Sequence, residues 1–250
     1  MAYSRIPHYP ILTLVISILS ISGCSRQTDS YRPISPYPNS KIWAHGASGV
    51  VSGREAESRF EGMEVDLNYS EYQDLLFMGH ELSDTIIGLT FDAWLDSLSH
   101  PDSNYYWLDM KNLTQANAPL ISHRICLVAR RHHIMRRVMV EGQDPLALQT
   151  VKDSGLRVIF WVENNWWSGR SDKDWAETLR QQINTLHPDA LSGDYHMFPL
   201  LPNTFPKENI HIWDTPREYN DTNVAHSRLI ARHPSVRVVL VDYPEPFEIE

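Results

Sequence analysis

Short runs of β-branched, aromatic and aliphatic residues alternate along the chain with stretches in which apolar residues recur every three or four positions. The runs Lys41 to His45, Gly62 to Leu67, Tyr105 to Met110, Arg137 to Glu141, Arg157 to Val162, Ala190 to Asp194, Asn209 to Trp213 and Val236 to Asp242 read as strands. Helical spacing marks Thr90 to Ser99, Ala118 to His132, Pro145 to Asp153, Asp172 to Leu186 and Thr222 to Arg232, and the first and sixth intervals between strands are the least regular. Eight such units in about 210 residues predict a single-domain α/β fold, a (β/α)8 or TIM barrel. A doubly wound open sheet is the alternative.

The pattern fails before residue 41. Arg5 is followed by an apolar run, Ile11 to Ile21, too short to span a bilayer, where about 20 residues are needed. The following Ile21-Ser22-Gly23-Cys24 resembles a bacterial lipobox. The resemblance implies a signal peptide over residues 1–23, cleavage before Cys24, and lipidation of Cys24. Polar residues with prolines at 33, 36 and 38 then read as a tether over 24–40, leaving the barrel to 41–250. The expected location is the bacterial cell envelope, lipid-anchored, with the outer membrane favoured because Ser25 is no acidic retention signal.

Composition narrows the function classes. The chain of 250 residues carries 22 basic and 31 acidic residues, a formal charge of −9. Only Arg5 goes with the leader, so the mature chain would stand at −10. That balance argues against nucleic acid as a partner. With Cys24 lipidated, Cys126 has no intramolecular partner and reads as a buried structural thiol on an apolar helix face. The sequence leaves the oligomeric state open.

In a barrel, chemistry belongs where strands end, and the predicted strand ends are polar. In Glu64-Val65-Asp66 the two carboxylates point to one side of a strand. Asp109-Met110-Lys111 repeats the spacing, adding a third carboxylate beside a cation suited to a phosphate oxygen. Three carboxylates suit a hard divalent cation, Mg2+ or Ca2+. His45 ends the first strand and His80 lies 14 residues beyond Asp66; imidazoles supply the base and acid that a phosphodiester cleavage requires. Trp161 and Trp213 are candidates to line a pocket. Glu141, Glu163 and Asp194 stay undecided between rim and site.

The motifs Ala44-His45-Gly46, Gly62-Met63-Glu64-Val65-Asp66, Gly79-His80-Glu81 and Leu108-Asp109-Met110-Lys111 resemble, in order, those of the glycerophosphodiester phosphodiesterase family, within the phospholipase C-like phosphodiesterase superfamily. Phe160-Trp161-Val162-Glu163-Asn164 and Val241-Asp242-Tyr243-Pro244 resemble that family's last strands, and a branch related to the menorin proteins is a narrower form of the same likeness. The resemblance implies Glu64, Asp66 and Asp109 as metal ligands, His45 and His80 as the acid/base pair, and Lys111 as the phosphate-binding lysine. It departs where the family has arginine after its first histidine and this chain has Gly46, where Asp109 replaces glutamate, and where Glu81 replaces aspartate.

The expected function is a metal-dependent phosphodiester hydrolase acting on glycerophosphodiesters or related phospholipid head-group esters. Its expected partners are a small phosphodiester substrate and the membrane. Two readings from other classes stand beside it: a surface-displayed binding lipoprotein that retains the barrel, and a glycosidase using Glu141 and Glu163.

Overall fold

The computed structural model describes residues 35–85, 88–164, 169–213 and 221–243. The leader, Cys24 and most of the tether lie outside these residues, as do Asp214 and Pro244. No helix among the described residues is long and apolar enough to cross a membrane.

All eight expected strands are present, each within a few residues of its expected bounds. They are β1 (Ile42–Ala44), β2 (Gly62–Ser70), β4 (Tyr105–Met110), β5 (Val138–Gly142), β6 (Arg157–Trp161), β7 (Ala190–Asp194), β8 (Ile210–Trp213) and β9 (Val236–Val241). Each pairs in parallel with the next round the ring, and β1 pairs with both β9 and β2, which closes the sheet into a barrel. The helices α1 (Val50–Arg59), α2 (Phe91–Ser97), α3 (Ala118–Arg131), α4 (Pro145–Asp153), α5 (Asp172–Leu186), α6 (Leu200–Thr204) and α7 (Asp221–Ala231) lie in the connections. The open-sheet alternative is thereby excluded.

Two elements near the site and the barrel wall escaped the pattern reading, as did the short α6. One is a four-residue strand, β3 (Leu75–Met78), which turns back antiparallel against the far end of β2. The other is α1, whose buried residues are only Gly53 and Ala56, so it lacks the stripe of large apolar residues that announces a helix. Small residues are required there because Trp94 packs against the helix: a Cβ on Gly53 would lie 2.7 Å from Trp94 Nε1, which donates to Gly49 O at 3.0 Å. The sixth interval holds a single 3-10 turn, Tyr195–Met197, and α6, five residues long.

Alternate strand residues point inward and fill the barrel with Trp43, Tyr105, Trp107, Met139, Ile159, Val238 and Leu240. Gly62 makes room for this packing, since a Cβ there would sit 2.2 Å from the Trp43 indole. Gly62→Ala should therefore overpack the barrel and cost about 1–3 kcal/mol. A thermal melt checks this, and an unchanged Tm would mean that Trp43 moves aside without cost.

The end of the barrel where strands begin is closed by the last residues of the expected tether. Tyr37 packs against the interior cluster with its hydroxyl 3.1 Å from His211 Nε2, and Ser35 O accepts from the Tyr105 hydroxyl at 2.9 Å. Burial and the nearby Arg157 push the fully buried His211 down to about 3, so this imidazole is neutral. Cys126 is buried on the inner side of α3, as its apolar setting predicts. His132 is buried, with Nε2 2.9 Å from Asp92 Oδ1.

Candidate active site

At the opposite end, where the strands finish, the barrel opens into a cavity of about 1050 Å3. Strand register decides which side chains reach it. Asp66 on β2 stands opposite Asp109 on β4, and Asp109 opposite Glu141 on β5, so acids from three adjacent strands meet at one level. Ligand oxygens of Glu64, Asp66 and Asp109 all lie within 4.8 Å of one another.

Glu64 is buried, and burial together with the Asp66 carboxylate pushes it up to about 8, against the pull of His45. Asp109 is raised by burial, with Lys111 pulling the other way. Lys111 Nζ bridges Asp66 Oδ1 at 2.7 Å and Asp109 Oδ2 at 2.5 Å. Burial alone would lower its pKa, but the two carboxylates outweigh it and raise it. One ammonium faces three carboxylates, so the set carries excess negative charge and oxygen-only donors. Those are the properties that a hard divalent cation neutralises, and the residues fit one.

His45 follows β1, its backbone N–H donating to Val241 O at 3.0 Å. Its Nδ1 sits 2.6 Å from Asp242 Oδ1 and its Nε2 3.9 Å from Glu64 Oε2. Burial would depress this imidazole, yet the hydrogen bond to Asp242 and the charge of Glu64 lift it to about 9. Asp242 stood among the polar strand ends in the sequence without a role; facing His45, it orients the ring so that Nε2 turns to the carboxylates. The signal was its place at the end of the strand neighbouring β1.

His80 arrives by way of β3. The hairpin returns the chain to β2, where Gly79 N donates to Asp66 O at 3.0 Å and Asn68 Nδ2 to Gly79 O at 2.8 Å. His80 is exposed at the cavity rim, with Nδ1 2.8 Å from Glu81 Oε1. Both histidines thus present the same arrangement: a carboxylate on Nδ1 and Nε2 left for chemistry.

Gly46, which stands where an arginine was expected by resemblance, has its own structural task. It adopts φ +69° and its N–H donates to Glu64 Oε2 at 2.8 Å. The first loop therefore contributes a backbone donor to the acidic cluster.

Trp161 and Trp213 both line the cavity, as does Glu141, which proves to be its floor. Glu141 is 3% exposed, accepts from Trp107 Nε1 at 2.9 Å and from the Ser192 hydroxyl, and is raised well above the usual carboxylate range by burial and by Asp109. Glu163 is exposed on a separate, smaller cavity, and Asp194 is used as a cap, accepting from His196 N at 2.8 Å and Asn164 Nδ2 at 2.9 Å. A carboxylate pair of Glu141 and Glu163 across one cavity is not formed. A second acidic group with a histidine, Asp92, Asp96 and His132, lies on the outer helices and is filled by the Arg131 guanidinium.

The architecture is shared with solved structures of known chemistry. An Oleispira antarctica phosphodiesterase in complex with the product sn-glycerol-3-phosphate superposes with a TM-score of 0.58 at 13% identity, over 80% of this chain and 92% of that one. Glycerophosphodiester phosphodiesterases from Agrobacterium tumefaciens (TM-score 0.55, 16% identity, 82% and 98% covered) and Parabacteroides distasonis (0.57, 12%, 81% and 93%) are similar to the same extent. No protein-family model matches the chain, and no curated protein does. The chain is thus a single-domain TIM barrel with the fold of glycerophosphodiester phosphodiesterases.

Proposed function

We propose that this protein is a metal-dependent phosphodiesterase acting on glycerophosphodiesters or related phospholipid head-group esters. The observation that carries the reading is convergence: three carboxylates, one lysine and two carboxylate-backed imidazoles open on one cavity at the end of the barrel where strands finish. Glu64, Asp66 and Asp109 would hold the divalent cation, Mg2+ or Ca2+. When bound, it supplies Lewis-acid polarisation of a phosphoryl oxygen.

The chain's own residues do the rest. Relieved of part of its ion pairing, Lys111 offsets charge on the phosphate. His45 and His80 divide the proton transfers, one taking a proton from the attacking oxygen, the other giving one to the leaving alcohol. Asp242 and Glu81 hold the two rings by Nδ1 for these transfers. Where the substrate has a hydroxyl next to the ester, that hydroxyl can attack and give a cyclic phosphate; otherwise water attacks. The lipid anchor read at Cys24 would place this activity at a membrane of the cell envelope.

Hydrolysis of a small panel of phosphodiesters by the purified protein, with Mg2+, Ca2+ or EDTA and with His45→Ala alongside, tests the reading. Turnover that needs the cation and is lost in the variant is expected. No cation-dependent turnover of any ester would favour the binding lipoprotein instead.

A further inference from the structure

The end of the barrel where strands begin is basic, the reverse of its acidic mouth. The sequence has no acidic residue between Asp109 and Glu141, and none between Asp221 and Asp242. These spans hold α3 and α7, and each helix leads to the next strand through exposed arginines: Arg130 and Arg136 before β5, Arg228 and Arg232 before β9. In the closed ring β5 and β9 are four strands apart in either direction, so the two pairs flank this end from opposite sides. Arg130 and Arg228 stand in last helical turns, where a cation offsets the helix dipole. Arg136 and Arg232 lie beyond the helix ends, and the dipole does not account for them. Of the acids at this end, Glu61 and Asp189 accept from the Ser40 and Val158 amides, leaving Asp102, Asp153 and Glu208 against the arginines.

The tether arrives at the centre of the same end. Tyr37 sits on His211, and the carbonyls of Ser35 and Pro36 accept from Tyr105 and Arg157. From Cys24 to Ser35 the chain spans at most about 40 Å fully extended. A domain of about 210 residues is about 45 Å across, so a path from this end round to a membrane at the mouth needs about 55 Å or more. With the lipid anchor read at Cys24, which this step assumes, the tether is too short to turn the mouth toward the membrane.

We propose that the strand-start end docks on the anionic bilayer surface to which the tether leads, with the cavity opening away from it. Within a Debye length of about 8–10 Å, anionic lipid attracts the arginines, while the acids of the mouth are held at the far end.

Sedimentation of the full chain with lipid vesicles tests this without reading turnover. Cys24→Ser removes the site of acylation, so the measurement stands whether or not that cysteine is lipidated. Vesicles of equal parts phosphatidylglycerol and phosphatidylcholine should bind this chain at least about 20-fold tighter than phosphatidylcholine alone, at about five-fold per engaged arginine. Arg130→Gln, Arg136→Gln, Arg228→Gln and Arg232→Gln together should narrow the preference to about three-fold or less. Lys173→Gln with Arg180→Gln, two charges on α5 outside the set, should leave it unchanged. Raising NaCl from about 0.05 to 0.5 M should also remove the preference, which keeps the test available should the four changes prevent folding. Equal binding to the two vesicles, or a preference that survives the four changes or the salt, would overturn the proposal. Binding to heparin in place of the vesicles would overturn it too, assigning the face to a soluble polyanion. A preference lost with the arginines, in a protein that hydrolyses no phosphodiester, would support the docking face and defeat only the hydrolase reading.

Discussion

Glu64→Gln is expected to abolish turnover and, in the absence of divalent cation, to make the protein more stable. Glu64 is buried beside Asp66 and Asp109, and Lys111 pairs with the latter two rather than with Glu64. The amide keeps an oxygen for the Gly46 N–H and removes a carboxyl that folding forces either to take up a proton or to repel its neighbours. A rise in Tm of about 2–8 °C in EDTA is the expected size, what 1–2 kcal/mol gives a domain of this length. Activity should fall by more than about 100-fold, because loss of an outer-sphere partner alone costs 10–100-fold at metal sites. Opposite signs for stability and activity mark a site whose charge is held for function.

The same carboxylate sets a pH dependence. Its pKa rises from an ordinary 4.5 to about 8 on folding without a cation. Between those values the folded chain holds a proton that the unfolded chain has released, so stability in EDTA should fall as pH rises from about 4.5 to 8. Mg2+ or Ca2+ competes with that proton and should raise Tm more at pH 8 than at pH 5. Thermal melts at both pH values, with cation and with EDTA, check this. A Tm in EDTA that climbs over this interval would contradict the buried acidic cluster.

The second large effect concerns His45. His45→Ala should lower kcat by about 10²–10⁴, the usual contribution of a positioned acid or base. Asp242→Asn separates positioning from proton transfer. The amide can still accept from Nδ1, but the charge that helps hold the imidazole near 9 is lost, so its pKa falls. The limb of the pH–rate profile governed by His45 should move to lower pH, with a loss in kcat smaller than that of His45→Ala. An unmoved profile would show that Asp242 does not tune this histidine.

Much of this site was legible in the sequence because short-range periodicity carries it. The i, i+2 spacing of Glu64 with Asp66 and of Asp109 with Lys111 fixes their common facing on a strand, whatever the rest of the chain does. The end of a strand was likewise visible for His45, since an apolar run stops there. His80 was found by resemblance and by its distance from Asp66. How 14 residues bring it back was hidden, because a four-residue strand such as β3 carries too few positions to show a period. The helix α1 was hidden for a different reason: its packing face is made of small residues, chosen by Trp94 some 40 positions away.

What the sequence determined by itself is therefore local: the strands, most helices, the facing of each acid, and with them a barrel whose strand ends are polar. Which strand ends meet was decided by the tertiary structure. Closure of β1 onto β9 and β2 puts Asp242 against His45 and Glu64 beneath Gly46, pairings between residues up to 197 positions apart. It also sent Glu163 and Asp194 elsewhere and made Glu141 the floor. The physical reason is that ionisation and ligand geometry depend on distances of a few ångströms between strands, and strand register is fixed only when the whole ring has closed.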